Sequence, residues 1–399
     1  MTPRFMKRID RQSEILRGLF GEPQFDPPPY PASQGSRTAS MASSQYESMR
    51  FPAPPGYSRA SATGSTIGIE QLSVPLDSLI LVTGANSLLG MHIVDKLLEH
   101  GYRVRGAVRN TEKAIKTSKF FEQRHGLGRY HAAQVTNMAT QGAFDVVMQH
   151  CVGVVHVASV TTLSSDPNEV ITPSIAGAIN ALEAAAKEDC VRRFVYCSSV
   201  TAAVSPNRIA TSEVTSESWN MLDFDDAWAP PPYEQRRPAA VHASAKMQTE
   251  AAMWRWYARR KPGFVLNTVL PATLFGHILD PAHGLPPSIS LLDSLHDSRN
   301  TEFPPPYAVD VEDAALLHVA AIMISDVKDQ RIFAASPQYK AQSMIQLLRA
   351  LDPRQGIWSS LQHNNRDAAV LLEVDKAEEL LRRLGREGWT DWQGSVGGS

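Results

Sequence analysis

Two hydrophobic rhythms run through this chain from Ser78 onward. Short apolar runs at 79–83, 103–108, 129–135, 152–157, 191–198 and 264–270 predict strands. Between them, apolar residues recur at three- and four-residue spacing over 88–100, 112–124, 141–150, 168–188 and 239–260, which predicts helices. The first five strands are almost continuously apolar, as strands covered on both faces should be. Strands alternating with helices predict an α/β fold, a doubly wound parallel sheet with right-handed crossovers. After Pro271 the rhythm loosens. Loops rich in Gly and Pro at 276–288 and 301–307 lead into helical stretches near 310–324 and 341–351, and a last helix over 375–384 is closed by Gly385. The expected organisation is one α/β domain over 70–399, with a small C-terminal lobe formed mainly by 205–238 and 272–399.

Residues 1–69 follow neither rhythm. Nine of the 27 prolines fall in the first 60 residues, among many Ser and Ala, so this stretch is expected to be a disordered tail. Pro27, Pro28, Pro29 and Tyr30 have the form of a WW-domain ligand. The same PPPY string recurs at 230–233 and 304–307, and a chance proline turn is the simpler reading of all three.

Composition narrows the class. The 399 residues are 43% hydrophobic and 20% charged, enough for one large α/β domain and a lobe. Lys and Arg number 39 against 41 Asp and Glu, so no nucleic-acid or membrane partner is expected. Three cysteines, Cys151, Cys190 and Cys197, do not make a disulfide framework. With neither a signal-peptide core nor a membrane-length apolar run, a reducing, cytoplasmic setting is expected. No metal site is expected.

The richest chemistry lies between the first two strands. Thr83-Gly84-Ala85-Asn86-Ser87-Leu88-Leu89-Gly90 is a glycine turn between an apolar strand and a helix, the unit that holds a dinucleotide in a Rossmann sheet. The N–H groups of Leu88 and Leu89 would face the pyrophosphate at the helix start. Gly84 permits a tight turn, and Gly90 lets the helix lie close to the strand. An NAD site wants an acid about 20 residues past the turn for the ribose hydroxyls. That position holds Arg109, with Arg105, Lys113 and Lys116 nearby and no acid between Tyr102 and Thr111. A guanidinium grips phosphate, so NADP(H) is expected. Lys113 alone reads easily as a solvated charge. Further on, Ser199 follows a strand, and His242 and Lys246 sit four apart on one helical face.

Several strings together resemble the extended short-chain dehydrogenases/reductases, in the branch of dihydroflavonol reductases and fungal aldehyde or ketone reductases. They include Val82-Thr83-Gly84-Ala85-Asn86, His156-Val157-Ala158-Ser159, Phe194-Val195-Tyr196-Cys197-Ser198-Ser199, Asn267-Thr268-Val269-Leu270-Pro271 and Val309-Asp310-Val311-Glu312-Asp313. The resemblance implies a Ser–Tyr–Lys set that reduces a carbonyl with NADPH. Ser199 and Lys246 take two of those places, and Glu250 and Trp254 keep the register. The Tyr position then holds His242, whose imidazole Lys246 would keep mostly neutral. Ser87 stands at the family's middle glycine, where its Cβ would crowd the pyrophosphate. Asn137, before Met138, stands for the family's Asp beside the adenine. Val157 and Ala158 are expected at the cofactor.

The resemblance also makes 213–233 a substrate flap whose Trp219, Trp228 and Tyr233 either line a pocket or pack the flap to the core. Thr273, Phe275 and His277 would form the pocket's far wall, and helices 168–188 and 239–260 a homodimer surface. Three readings follow. The first is an NADP-dependent reductase of an aldehyde or ketone, by family analogy in fungal secondary metabolism. The second is a reductase-fold binding protein without redox chemistry. The third is an isomerase or dehydratase with His242 as base.

Overall fold

The computed structural model describes residues 71–205, 213–233, 237–281, 307–337, 346 and 373–391. All lie within the unit Thr63–Ser399. The expected tail, the helix over 341–351 apart from residue 346, and the first PPPY string fall outside the described residues.

Seven strands form one sheet: β1 (Leu79–Thr83), β2 (Arg103–Val108), β3 (Tyr130–Gln134), β4 (Gly153–His156), β5 (Arg193–Cys197), β6 (Val265–Pro271) and β9 (Arg331–Ala334). Their order is β3-β2-β1-β4-β5-β6-β9, and every pairing is parallel. The doubly wound expectation is met. Two short strands, β7 (Thr273–Phe275) and β8 (Ala308–Asp310), pair in parallel beside it. The helices are α1 (Leu88–Glu99), α2 (Thr111–His125), α3 (Asp145–Met148), α4 (Pro167–Ala186), α5 (Met221–Trp228), α6 (Arg237–Arg260), α7 (Val311–Met323) and α8 (Val374–Arg383).

The sheet is buried on both faces, which explains the apolar runs: β4 and β5 are buried at every residue. Helix α1 packs on α7, and α4 packs on α6. The chain enters the domain through Ser73, whose hydroxyl donates to Ile322 O and Met323 O. Tyr102 holds the same segment by donating to Val74 O.

Two expectations need correction. The helix over 141–150 shrinks to the four residues of α3, because 141–144 are turns with Gly142 at φ +75°. The edge strand β9 was not anticipated. It is short and opens with a charged residue, so its pattern looks like loop until β6 offers it a ladder.

The strand order reverses between β1 and β4. In an open parallel sheet the crevice at such a reversal, beyond the carboxyl ends of the strands, is where ligands bind.

Candidate active site

A cavity of about 420 Å³ occupies that crevice. The turn after β1 contributes Gly84, Asn86, Ser87 and Leu88; the end of β2 contributes Arg109, with Lys113 from α2. Asn137 and Met138 follow β3, Val157 and Ala158 follow β4, and Ile278, Leu279 and Asp280 come from beyond β7.

The turn is built from tight contacts. Gly84 has φ +66°, and a Cβ there would come within 3.0 Å of Ala158 N. At Gly90 a Cβ would lie 2.1 Å from Gly84 O, so the helix is pressed against the turn carbonyl rather than the strand. Ser87 caps α1: its Oγ accepts from Gly90 N at 3.0 Å and donates to Gly84 O at 2.8 Å. The hydroxyl is therefore folded back onto its own turn. As the first two helical residues, Leu88 and Leu89 have N–H groups with no intrahelical acceptor. The Leu88 side chain lines the cavity, whereas that of Leu89 is buried in the core.

A second device fixes the opposite wall. Thr83 Oγ1 accepts from Val157 N and Ala158 N, both at 3.0 Å. Its own proton therefore goes to His156 Nδ1, 3.0 Å away, which leaves the imidazole proton on Nε2. Burial, then the charge of Lys246, lowers His156 to a pKa of about 3, so this imidazole is neutral.

The cationic corner differs from expectation in its members. Arg109 and Lys113 both line the cavity, and neither side chain pairs with a described residue. Lys116 is instead held by Glu112 at 2.7 Å and is not among the lining residues. Arg105 turns away to donate to Val147 O and Gln149 O, both at 2.8 Å. Asn137 spends its side-chain oxygen on Ala139 N at 2.9 Å, closing the loop after β3.

Ser199, His242 and Lys246 lie off the cavity lining, around the end of β5, one strand beyond β4. Lys246 Nζ donates to Cys197 O at 3.1 Å and stands 5.8 Å from the centre of the Tyr196 ring. Its charge acts on both His242 and His156, which ties this group to the wall of the cavity. Ser199 Oγ accepts from Thr201 N at 3.2 Å and from Thr201 Oγ1 at 2.9 Å. With both lone pairs engaged, its own proton is free to donate. His242 makes no hydrogen bond to a described residue. Its pKa falls to about 4, from burial first and Lys246 second. The sequence placed the neutral imidazole correctly but assigned it to Lys246; burial is the larger cause.

Beneath the trio runs a buried network absent from the sequence reading. Arg331 meets Glu250 through Nε–Oε1 at 2.8 Å and Nη2–Oε2 at 3.1 Å. Glu250 also accepts from Ser198 Oγ and Thr268 Oγ1, each at 2.7 Å. Burial works to raise the Glu250 carboxyl, and these partners outweigh it, holding it below the usual range. Arg331 Nη1 donates to Ser216 O and Ser218 O, and its guanidinium lies 4.0 Å over the Trp219 ring. Trp219 therefore packs the flap to the core. Trp228 does the same against Val170, Ile171, Val241 and Ala245, while Tyr233 is exposed with Arg237 over its ring. The acidic position one turn past Lys246 was the available signal for this network.

Of the residues expected along the substrate pocket's far wall, Phe275 is buried, Thr273 half-buried and His277 exposed. The residues that follow, 278–280, line the dinucleotide cavity. Among the described residues, no group of three or more His, Cys, Asp or Glu could hold a metal ion, and no helix is long and apolar enough to cross a membrane.

A parallel sheet in this order, with a glycine turn and a cavity of about 420 Å³ at its reversal, defines a nicotinamide-dinucleotide-binding protein. The chain belongs to the NAD dependent epimerase/dehydratase family, whose profile matches residues 80–224, and it is an oxidoreductase. It is 36% identical over 331 residues to the NAD-dependent epimerase/dehydratase terH of Aspergillus terreus, covering 81% of this chain and 96% of that protein. It is 33% identical over 333 residues to aldehyde reductase 2 of Sporidiobolus salmonicolor, covering 82% and 96%. Among solved structures, Gre2 of Candida albicans in complex with NADPH shares the fold, with a TM-score of 0.69 at 23% identity over 81% of this chain and 97% of that one.

Proposed function

We propose that this chain reduces an aldehyde or ketone to an alcohol with NADPH. The observation that carries the cofactor choice is the pair Arg109 and Lys113, two cations lining one end of the cavity, neither side chain held in a hydrogen bond or ion pair with a described residue. They suit a ribose 2′-phosphate, and the glycine turn and the helix start suit the pyrophosphate. When bound, the dinucleotide supplies a hydride. Everything else falls to the chain's own groups.

Ser199 offers a free O–H. Lys246 keeps two N–H donors after bonding Cys197 O. His242 offers a neutral N–H, since at a pKa of about 4 only about one imidazole in a thousand is protonated at pH 7. A neutral histidine can still polarise a carbonyl through its N–H. Donors placed in advance stabilise the charge that grows on the carbonyl oxygen. As a proton source the neutral ring is weak, so slow turnover is expected. The same value argues against His242 as the base of an isomerase or dehydratase.

Calorimetry with NADPH and NADH, followed by NADPH oxidation against a panel of aldehydes and ketones, tests the proposal. NADPH should bind the more tightly, and Arg109→Glu should weaken it on the order of 10- to 100-fold, the scale of one charge-assisted hydrogen bond. Equal affinities in the unmodified protein would remove the cofactor assignment. Binding without oxidation of any carbonyl would favour a binding protein that does no redox chemistry.

A further inference from the structure

One wall of the dinucleotide cavity owes nothing to the seven-stranded sheet. Ile278, Leu279 and Asp280 belong to a strap, residues 276–280, that leaves β7 and reaches the cavity rim near Met91. Three of its attachments lie at its base. Phe275 pairs with Asp310 in the small two-stranded sheet. Gly276 turns at φ +132° against the start of α7, where a Cβ would meet Val311 Cγ1 at 2.9 Å and Asp310 Oδ2 at 3.0 Å. His92 of α1 reaches out to His277 O at 2.8 Å through Nε2.

The third attachment is the unusual one. His92 is fully buried where α1 meets its neighbours. A carbonyl can only accept, so Nε2 carries the ring proton and Nδ1 is left bare. Nδ1 is buried with no hydrogen-bond partner among the described residues. An orphaned polar atom inside a helix packing is costly, and an apolar side chain would avoid it. What the imidazole gains in return is a single bond, and that bond goes to the strap.

We infer that His92 is a positioning residue for the cofactor: its bond to His277 O holds residues 276–280 as the outer wall of the cavity and sets how fast the dinucleotide leaves. The inference rests on the dinucleotide reading above. His92 is not itself among the residues that line the cavity, nor does it belong to the trio at β5. Its effect therefore falls on retention of the dinucleotide and leaves the carbonyl site alone.

The test uses the full chain and NADPH as probe, with release followed by stopped-flow fluorescence and affinity by calorimetry. His92→Leu removes the donor at similar bulk and should speed NADPH release on the order of 10-fold, the scale of one buried hydrogen bond. His92→Gln restores an N–H donor and should release NADPH within about threefold of the unmodified rate. The KM for a carbonyl substrate at saturating NADPH should stay unchanged in both. A folded His92→Leu protein that releases NADPH at the unmodified rate overturns the inference. So does His92→Gln releasing as fast as His92→Leu, since the bond would then not be the cause. If His92→Leu fails to fold, Gly276→Ala decides, because its methyl must displace the strap from α7: faster release supports the inference and an unchanged rate overturns it. If the unmodified protein binds neither NADPH nor NADH, the dinucleotide reading itself fails, and that result is distinct from all of these.

Discussion

His242 concentrates the chemical question at the scale of one residue. Its imidazole is held near a pKa of about 4 by burial and by Lys246, so it is a neutral donor throughout the neutral range. If that neutral ring is what the reaction uses, kcat/KM should stay level from pH 8 down to about 5 and decline only as pH falls through about 4. A break near 6.5 would mean that an ordinary, exposed histidine does the work. His242→Tyr restores a phenol beside Lys246, and general acid catalysis is typically worth about 100- to 10,000-fold. NADPH consumption with the best carbonyl of the panel should rise accordingly; a loss of activity would make the imidazole itself indispensable. The departure at 242 was plain in the sequence because Lys246 and Glu250 fix the register around it. The extent of the shift was not, because it comes from the surroundings His242 meets in the folded chain, and no local pattern records them.

At the scale of elements, α6 does two jobs along one face. Two of its turns present His242 and Lys246, and the next sends Glu250 to Arg331 of β9. Removing one partner of a buried pair strands the other, so Arg331→Met alone should cost about 3–5 kcal/mol in urea unfolding. The double variant Glu250→Gln, Arg331→Met should recover most of that loss. Equal stabilities of the single and double variants would show that the pair is not the linchpin. The first six strands of the main sheet and the long helices were legible in the pattern, because each carries a run long enough to show its period. β9 was not: four residues led by an arginine look like loop until the buried carboxylate that needs the arginine is known. The nucleotide turn was legible for the opposite reason, since its chemistry is written in consecutive residues. The wall that residues 278–280 give the dinucleotide cavity was not legible, because the contact of the neighbouring His277 with α1 spans a separation of 185 residues.

For the whole molecule, buried histidines set an acid limit. Burial takes His156 to a pKa of about 3 and His242 and His318 to about 4, with Lys246 adding to each. All three lie below the unfolded value of 6.5, so their contribution is present above that pH and is lost as pH falls, when the unfolded chain takes up the protons first. Asp313 acts the other way, raised to about 6 by burial, and offsets one proton. Near pH 5 these four groups alone give a net uptake on unfolding of about two protons, a slope on the order of 3 kcal/mol per pH unit, and His92, His100 and His131, also lowered by burial, act in the same direction. The urea midpoint should therefore fall steeply between pH 6.5 and 5; a flat midpoint would contradict the burial of these rings.

The Glu250–Arg331 pair also bears on the order in which the chain is made. The two residues are 81 positions apart, and the carboxylate comes first. At roughly 5–20 residues per second, a nascent chain waits about 4 to 16 seconds between them. Through that interval the nucleotide half of the sheet can already be assembled, while the helix that bears His242 and Lys246 holds a carboxylate it cannot yet bury. The pair is thus locked from β9 backward, and an arginine 81 residues later in the chain decides when the helix that bears His242 and Lys246 may close.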